Sequence, residues 1–130
     1  MIVVRGEDPT SPTAVAGGTG ELWQSPQFDA DDVRASTIFF SPGARTFWHT
    51  HERGQILQVL AGSGFVCTRS GVPRLINVGD VIWTPPNEEH WHGAAPQSFF
   101  VHTAISLGAA ERSGDVTDDD YDAAARVALD

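Results

Sequence analysis

Two histidine pairs of the form His-x-His, each set in a strand-like run, limit the possible folds of this chain more than any other feature. The first is His49-Thr50-His51 and the second is His90-Trp91-His92. Side chains two residues apart on a β-strand point to the same face of a sheet. Each pair therefore presents two imidazoles to one side. The pattern predicts two strands whose histidine faces share one interior.

Short strand-like segments separated by turn residues fill the middle of the sequence. The predicted strands carry β-branched and aromatic residues and span 33–40, 46–51, 55–60, 65–68, 74–77, 81–84, 90–93 and 98–106. Turn residues lie between several of them, at 41–43, 62–64, 70–73 and 85–87. Many short strands at this spacing predict an all-β sandwich or barrel.

The two ends of the chain differ from this central region. Ile2-Val3-Val4 is predicted to form a short strand, followed by a loop rich in proline, threonine and glycine up to Gly20. The one predicted helix covers about 117–129, with Thr117 as N-cap and three aspartates after it at the positive end of the helix dipole. We predict a single domain, 1–130, with a barrel core at about 33–107 preceded by a strand and loop at 1–32.

Composition excludes several functional classes. A formal charge of −9 argues against nucleic acid, because nucleic-acid affinity depends largely on Lys and Arg at phosphates. The one cysteine, Cys67, excludes an internal disulfide, and the absence of lysine excludes imine chemistry. No window approaches the roughly 18 apolar residues of a membrane helix, and no signal peptide is recognisable. We expect a cytoplasmic protein without membrane or nucleic-acid partners.

The histidines and Gln55 are candidate metal ligands. Imidazole is the most common protein ligand for several transition metals. Gln55 follows His51 across Arg53-Gly54, where the chain can turn and direct an amide oxygen back to the ion. These residues predict one divalent ion, and their donor atoms leave Mn, Fe, Co, Ni and Zn open. Because glutamine is neutral, the ion would keep its full charge and favour an anionic ligand or a developing oxyanion.

The spacing of these residues resembles the two motifs of the cupin family. The first motif is glycine, five residues, His-x-His, three residues, a carboxylate or amide, six residues and glycine, and it is matched by Gly43, His49, His51, Gln55 and Gly62. The segment 79–90, which begins Gly-Asp-Val-Ile and ends at His90, matches the second, with Asn87 in place of a glycine. The resemblance implies a cupin fold, which is a double-stranded β-helix or jelly-roll barrel, here with a short C-terminal helix.

A closer similarity within the cupins runs from about 33 to 106. The phrases PGART, WHTH, GDVIW and HWHGAAP are similar to those of small bacterial cupin hydroxynitrile lyases, manganese-dependent enzymes that cleave and form aromatic cyanohydrins. This resemblance implies that the ion, with manganese favoured, is held by His49, His51, Gln55 and His90. It also implies that His92 and His102 line the active site. The tryptophan expected before the last helix is absent, and the segment 109–114 stands in its place.

Catalytic and pocket residues follow from the same reasoning. His92 and His102 are not needed as ligands, so each is predicted to transfer a proton near neutral pH. Strand alternation places several side chains on the histidine faces, and the predicted substrate pocket comprises Ser36, Ile38, Phe40, Phe47, Phe100, Ala104 and Ser106. Its mostly apolar character predicts a small neutral or aromatic substrate.

Three functional classes stay open on this evidence. The first is non-oxidative chemistry with the metal as a Lewis acid, as in a hydroxynitrile lyase. The second is an Fe- or Mn-dependent dioxygenase, and the third is a non-catalytic barrel that binds a metal or a small ligand. Two histidines beside the ligands favour the first class, because proton transfer needs such groups and a sensor does not.

The predicted N-terminal strand bears on assembly. Residues 2–4 are apolar and separated from the barrel by a long loop, so alone they would leave an exposed strand edge. We therefore predict that this strand pairs with a neighbouring subunit or with the outer sheet of the barrel. The expected assembly is a homodimer or a larger symmetric homo-oligomer.

Overall fold

The computed structural model describes residues 1–6 and 11–130. In the described residues, twelve strands form one curled antiparallel sheet and a single helix follows them. The elements are β1 (Thr13–Ala14), β2 (Gly18–Thr19), β3 (Leu22–Ala30), β4 (Val33–Phe40), β5 (Arg45–Thr46), β6 (Trp48–His51), β7 (Gln55–Thr68), β8 (Arg74–Asn77), β9 (Val81–Thr84), β10 (His90–Ala94), β11 (Phe100–Leu107), β12 (Ala110–Gly114) and α1 (Asp118–Leu129). The predicted all-β class with a short C-terminal helix is confirmed.

The longest strand, β7, joins the two halves of the sheet. Its first half pairs with β9 and β11, and its second half pairs with β8 and β10. The turn predicted at 62–64 is therefore wrong, because the strand continues through it. These glycines serve close packing instead: a Cβ added to Gly62 would lie 1.8 Å from the carbonyl oxygen of Phe99, and one on Gly64 would lie 2.3 Å from that of Gly93.

The N-terminal region departs most from the sequence prediction. Residues 2–4 do not form a strand, and Ile2 and Val3 are exposed. They pair with no sheet edge among the described residues, so pairing with a neighbouring subunit stays a prediction. Three strands that the sequence analysis missed, β1, β2 and β3, follow instead. The bulge between Pro26 and Phe28 in β3 accommodates a residue that cannot donate to the ladder.

Helix α1 closes one face of the sheet. Thr117 is its N-cap, as predicted, and its side chain accepts a hydrogen bond from the backbone N–H of Asp120 at 3.1 Å. The Tyr121 hydroxyl donates to the carbonyl of Ala94 at 2.6 Å, which fixes the helix against β10. No helix in the described part of the chain has the length and apolar character needed to span a membrane.

Two apolar clusters form the core. One lies between α1 and the sheet and is made of Trp48, Phe65, Cys67, Trp91, Ala95, Val116, Tyr121, Ala124 and Ala125. The other lies within the curled sheet and is made of Leu22, Phe40, Ala44, Val59, Ile76, Ala94 and Phe100. Burial raises the pKa of the Cys67 thiol to about 12, so this residue acts as a small apolar side chain.

Candidate metal centre

Three histidines meet in the interior of the curled sheet. Strand β6 pairs with β10 so that His49 lies opposite His90, and His51 follows on the same face of β6. The ring centroids of His49 and His90 are 4.3 Å apart, and those of His49 and His51 are 5.0 Å apart. One ring nitrogen from each of the three lies within 4.8 Å of the others. All three side chains are buried.

Gln55, the first residue of β7, completes this cluster. Its Oε1 lies 3.1 Å from Nε2 of His90. Its Nε2 donates a hydrogen bond to Oγ of Ser106 at 3.1 Å, across the β7–β11 register. Because Ser106 engages the amide nitrogen, the amide oxygen is the atom turned toward the histidines. That orientation is the one a metal ligand requires.

Backbone carbonyls select the free nitrogen of two rings. His49 Nδ1 donates to the carbonyl of Phe47 at 2.7 Å, and His90 Nδ1 donates to that of Glu88 at 2.9 Å. A carbonyl oxygen only accepts, so Nδ1 carries the proton and the lone pair lies on Nε2. Both ring nitrogens of His51 are buried without a partner among the described residues. Such a group costs free energy unless a ligand satisfies it, so the donor set fits a divalent first-row metal.

Burial keeps these imidazoles neutral. It lowers the pKa of His49 to about 4, and the nearby His90 and the Arg112 guanidinium act in the same direction. It lowers the pKa of His51 to about 3, with further contributions from His49, His90 and Arg34. The pKa of His90 is also lowered, again mainly by burial. Neutral imidazole is the metal-binding form, so all three rings are ready for coordination at neutral pH.

His92 and His102 form a hydrogen-bonded pair next to the cluster. His92 Nδ1 lies 3.1 Å from His102 Nε2, and the two rings meet edge to face. Burial lowers the pKa of His92 well below its usual value and that of His102 to about 3. Of the two, only His92 lines the cavity, whereas His102 is fully buried behind it between Phe40 and Phe100. His102 therefore contacts the cavity only through His92, and its role in the active site stays a prediction.

A cavity of about 540 Å³ opens onto the histidine cluster. Four predicted pocket residues line it, Ser36, Ile38, Ala104 and Ser106, together with His49, His51, Gln55 and His92. Three predicted pocket residues do not, and each has a structural reason. Phe40 and Phe100 belong to the apolar core and contact His102 there. Phe47 lies in the break between β5 and β6, where strand alternation is interrupted and Thr46 lines the cavity instead.

The sequence analysis missed three charged residues that also line the cavity: Asp29, Arg34 and Arg112. Arg34 shares strand alternation with Ser36 and Ile38, so the same argument that selected those two could have found it. Asp29 lies opposite Arg34 on β3, and Arg112 lies opposite His49 on β12. Neither β3 nor β12 was predicted, so the sequence offered no way to place these two side chains.

Comparison with known proteins identifies the family. The cupin-domain family model matches residues 37–99. Over 110 residues the chain is 43% identical to an (R)-mandelonitrile lyase of Granulicella tundricola. The aligned region covers 79% of this chain and 84% of that protein. The chain belongs to the cupin family. The resemblance to cupins read from the two sequence motifs is thus confirmed.

Solved structures agree with this assignment. A cupin-like protein from Thermotoga maritima superimposes on this cupin with a TM-score of 0.83 at 38% identity, covering 92% of this chain and 96% of that one. A polyketide cyclase from Streptomyces resistomycificus gives a TM-score of 0.75 at 20% identity, covering 94% and 92% of the two chains. The second likeness bears on the fold alone, and both confirm the predicted cupin fold.

Proposed function

We propose that this cupin is a metal-dependent lyase that cleaves and forms aromatic cyanohydrins. The observation that carries the proposal is the buried cluster of three neutral imidazoles and one amide oxygen, with a further neutral imidazole, His92, on the same cavity wall. The 43% identity to a relative named (R)-mandelonitrile lyase supports the reaction class. In a metal-dependent enzyme of this class, the metal site and the proton-transfer group would act side by side on one substrate.

The proposed ligands are His49, His51, Gln55 and His90, and manganese is favoured over Fe, Ni, Co or Zn. When bound, the ion would supply positive charge and Lewis acidity to an oxygen of the substrate. The protein contributes four neutral donors, so its ligands leave that charge uncancelled. Ser106 holds the Gln55 amide in the ligand orientation through its hydroxyl.

His92 is the proposed proton-transfer residue. With the proton on Nδ1 donated to His102 Nε2, the lone pair of His92 is on Nε2, which has no partner among the described residues. His92 Nε2 would take the hydroxyl proton of the cyanohydrin as the bond between the carbinol carbon and the nitrile carbon breaks. The products are then an aldehyde and cyanide, and Nε2 returns the proton to cyanide. His102 is a positioning residue that selects the His92 tautomer.

The deciding experiment is decomposition of mandelonitrile by the manganese-loaded protein, run in air and under nitrogen. We expect equal rates in the two atmospheres, because Lewis-acid catalysis consumes no electron acceptor. Spontaneous decomposition is subtracted with a matched sample of His49→Ala protein. A strict oxygen requirement would favour the dioxygenase class. No cleavage by fully metal-loaded protein would contradict the lyase proposal and favour a non-catalytic binding protein.

We also propose that the protein assembles as a homodimer or a larger homo-oligomer in the cytoplasm. Large apolar side chains are exposed on the outer surface of the sheet, among them Trp23, Phe39 and Trp83. Trp23 and Phe39 are cross-strand partners, so together they form a continuous apolar patch. Light scattering should give a mass of at least twice the 14.0 kDa of one chain. A mass of one chain at every concentration would contradict this assembly.

A further inference from the structure

We propose that the cavity selects substrates that carry a carboxylate separate from the reacting group, and that Arg34 and Arg112 bind this carboxylate. This inference rests on the proposed function, because it takes the cavity beside the metal centre as the substrate site. It names a substrate class that differs from the neutral molecule expected from the sequence. Three properties of the two arginines support it: their position in the cavity, their unused donors and the positive charge they give its lining.

Arg112 lies beside the metal ligands. In the β6–β12 register it is directly opposite His49, and cross-strand partners share one face of a sheet. Its guanidinium packs against Gly17, which also lines the cavity: a Cβ added to Gly17 would be 2.7 Å from Arg112 Nε. In the described part of the chain, the Arg112 side chain makes no hydrogen bond or ion pair. All of its donors are therefore available to a ligand.

Arg34 lines the same cavity from a different strand, β4. Across β4, β11 and β7 the register aligns Arg34 with Ser106 and Ser106 with Gln55. Arg34 therefore lies in the same cross-strand row as Ser106, whose hydroxyl accepts the hydrogen bond from the Gln55 amide. One hydrogen bond, from Nη2 to the carbonyl of Gly108 at 3.2 Å, anchors its guanidinium. The remaining N–H groups have no acceptor among the described residues.

The charge of the cavity is opposite to that of the protein. Its lining includes two guanidinium groups and, among the described residues, one carboxylate, that of Asp29. Asp29 is the cross-strand partner of Arg34, but the two form no ion pair; the ion pairs of the described residues are Arg45–Asp118 and Arg69–Glu89. A chain with a formal charge of −9 therefore presents a net positive cavity. A positive field of this kind attracts anions, including carboxylates.

Guanidinium chemistry and the apolar wall define the ligand class. Arginine presents a planar fork of N–H donors that matches a carboxylate, and these charge-assisted hydrogen bonds are stronger than neutral ones. Leu22, Ile38 and Ala104 supply apolar surface in the same cavity. A molecule with an apolar body, a carboxylate and a polar group for the metal centre would satisfy all three features. An aryl cyanohydrin with a ring carboxylate is one example.

Binding of two matched probes to the manganese-loaded protein tests the proposal. The probes are para-(hydroxymethyl)benzoate and its neutral isostere para-(hydroxymethyl)benzamide, compared by isothermal titration calorimetry. We expect the carboxylate to bind about tenfold tighter or more. Arg34→Gln and Arg112→Gln should each reduce this ratio, and the double variant should bring it near one. Arg126→Gln, which removes the same charge from the exposed end of α1, should leave the ratio unchanged.

Three results would overturn the proposal: equal affinity for the two probes, no binding of the carboxylate, or an unchanged preference in the double variant. The last would mean that the carboxylate binds the metal centre itself. Because the readout is binding, it is independent of turnover. Failure to cleave any cyanohydrin combined with a carboxylate preference that depends on the arginines would refute the proposed activity and support the proposed substrate class.

Discussion

The two faces of the β6–β10 strand pair differ completely in chemistry although both are buried. On one face Trp48 and Trp91 pack against helix α1, with the Trp91 and Tyr121 rings 6.0 Å apart. On the other face the histidines of the same strands meet in the interior. Trp91 and its neighbour His90 are each 2% exposed, so burial alone does not distinguish the faces. Alternation along the strand does.

The two faces differ in whether their buried polar atoms have hydrogen-bond partners. The tryptophan face is closed by side-chain packing and by the Tyr121 hydrogen bond to Ala94. The histidine face keeps unpartnered buried nitrogens on His51 and His92 in the described residues. An unsatisfied buried polar group destabilises a fold unless something binds to it. We infer that packing on the helix side stabilises the fold. The unpartnered groups on the cavity side lower the stability of the fold but are available to bind a ligand.

The largest expected effect comes from removing a ligand. His49→Ala should abolish both metal content and turnover, because two imidazoles and an amide are left to hold the ion. Metal analysis after purification measures the first and the mandelonitrile assay the second. A crystal structure of the metal-loaded protein should place donor atoms of His49, His51, His90 and Gln55 at ~2.0–2.3 Å from the ion. A Gln55 side chain turned away from the metal would show that the four-ligand set is wrong.

The next effect separates proton transfer from coordination on the same face. His92→Ala should reduce turnover by ~10²–10⁴, the usual contribution of a general acid–base group, while metal content stays at the wild-type level. His102→Ala should change turnover in the same direction, since it removes the partner that sets the His92 tautomer. Loss of metal from either variant would mean that these histidines belong to the ligand set.

A change on the tryptophan face should have the opposite profile. Trp91→Ala should lower the free energy of unfolding by about 3–5 kcal/mol, as expected for truncating a fully buried aromatic residue. Urea denaturation measures this value, and Trp91→Phe is a milder variant that should remain folded. The folded fraction of either variant should still bind one ion per chain. A metal-deficient but fully stable Trp91 variant would disprove the division of roles between the two faces.

The smallest effect per residue is a pH dependence of stability in the metal-free protein, to which each buried histidine contributes separately. The pKa values of His49, His51 and His102 are lowered to about 4, 3 and 3, whereas an unfolded histidine titrates near 6.5. Between these values the unfolded chain binds more protons, so the free energy of unfolding falls as the pH falls. The slope should approach about 1.4 kcal/mol per pH unit for each such histidine once the pH is well below 6.5, where the unfolded histidine is fully protonated.

Denaturation of chelator-treated protein between about pH 7 and pH 5 measures that slope. His51→Gln should reduce it by the share of one histidine, while an exposed-residue control, Arg126→Gln, should leave it as in the wild type. A stability that does not change over this range would contradict the burial of neutral imidazoles. In the metal-loaded protein the ion should stay bound over this range, because the pKa values of the ligands His49 and His51, about 4 and 3, lie below it and protons compete for their nitrogens only at lower pH.

The sequence predicted the histidine cluster well because each pair lies on one uninterrupted strand. Alternation then fixes the relative direction of His49 and His51, and of His90 and His92, without knowledge of the rest of the fold. Alternation does not hold at Phe47, because β5 ends at Thr46 and β6 begins at Trp48. It also could not show that His102 lies behind His92. That placement depends on how β10 and β11 curve around the interior.

The prediction of strands and turns failed at segments whose local composition does not match their position in the folded sheet. The Gly-Ser-Gly segment at 62–64 has the composition of a turn, but the close approach of Phe99 and Gly93 requires glycine within a continuous strand. Strand β3 contains Pro26, and β12 is entirely exposed and has no large apolar residue, so neither shows the alternating pattern of a half-buried strand. Both strands form because a neighbouring strand pairs with each of them, β4 with β3 and β6 with β12.

The two arginines of the cavity wall and the metal ligands come from separate parts of the chain, so evolution can change one set without changing the other. Every proposed ligand lies within 37–99, the segment common to cupins, whereas Arg34 and Arg112 lie on flanking strands outside it. Mutations in β4 and β12 can therefore change which molecules enter without disturbing the centre that reacts with them. A variant library confined to 34, 36 and 112 would alter substrate range on an unchanged metal-binding scaffold.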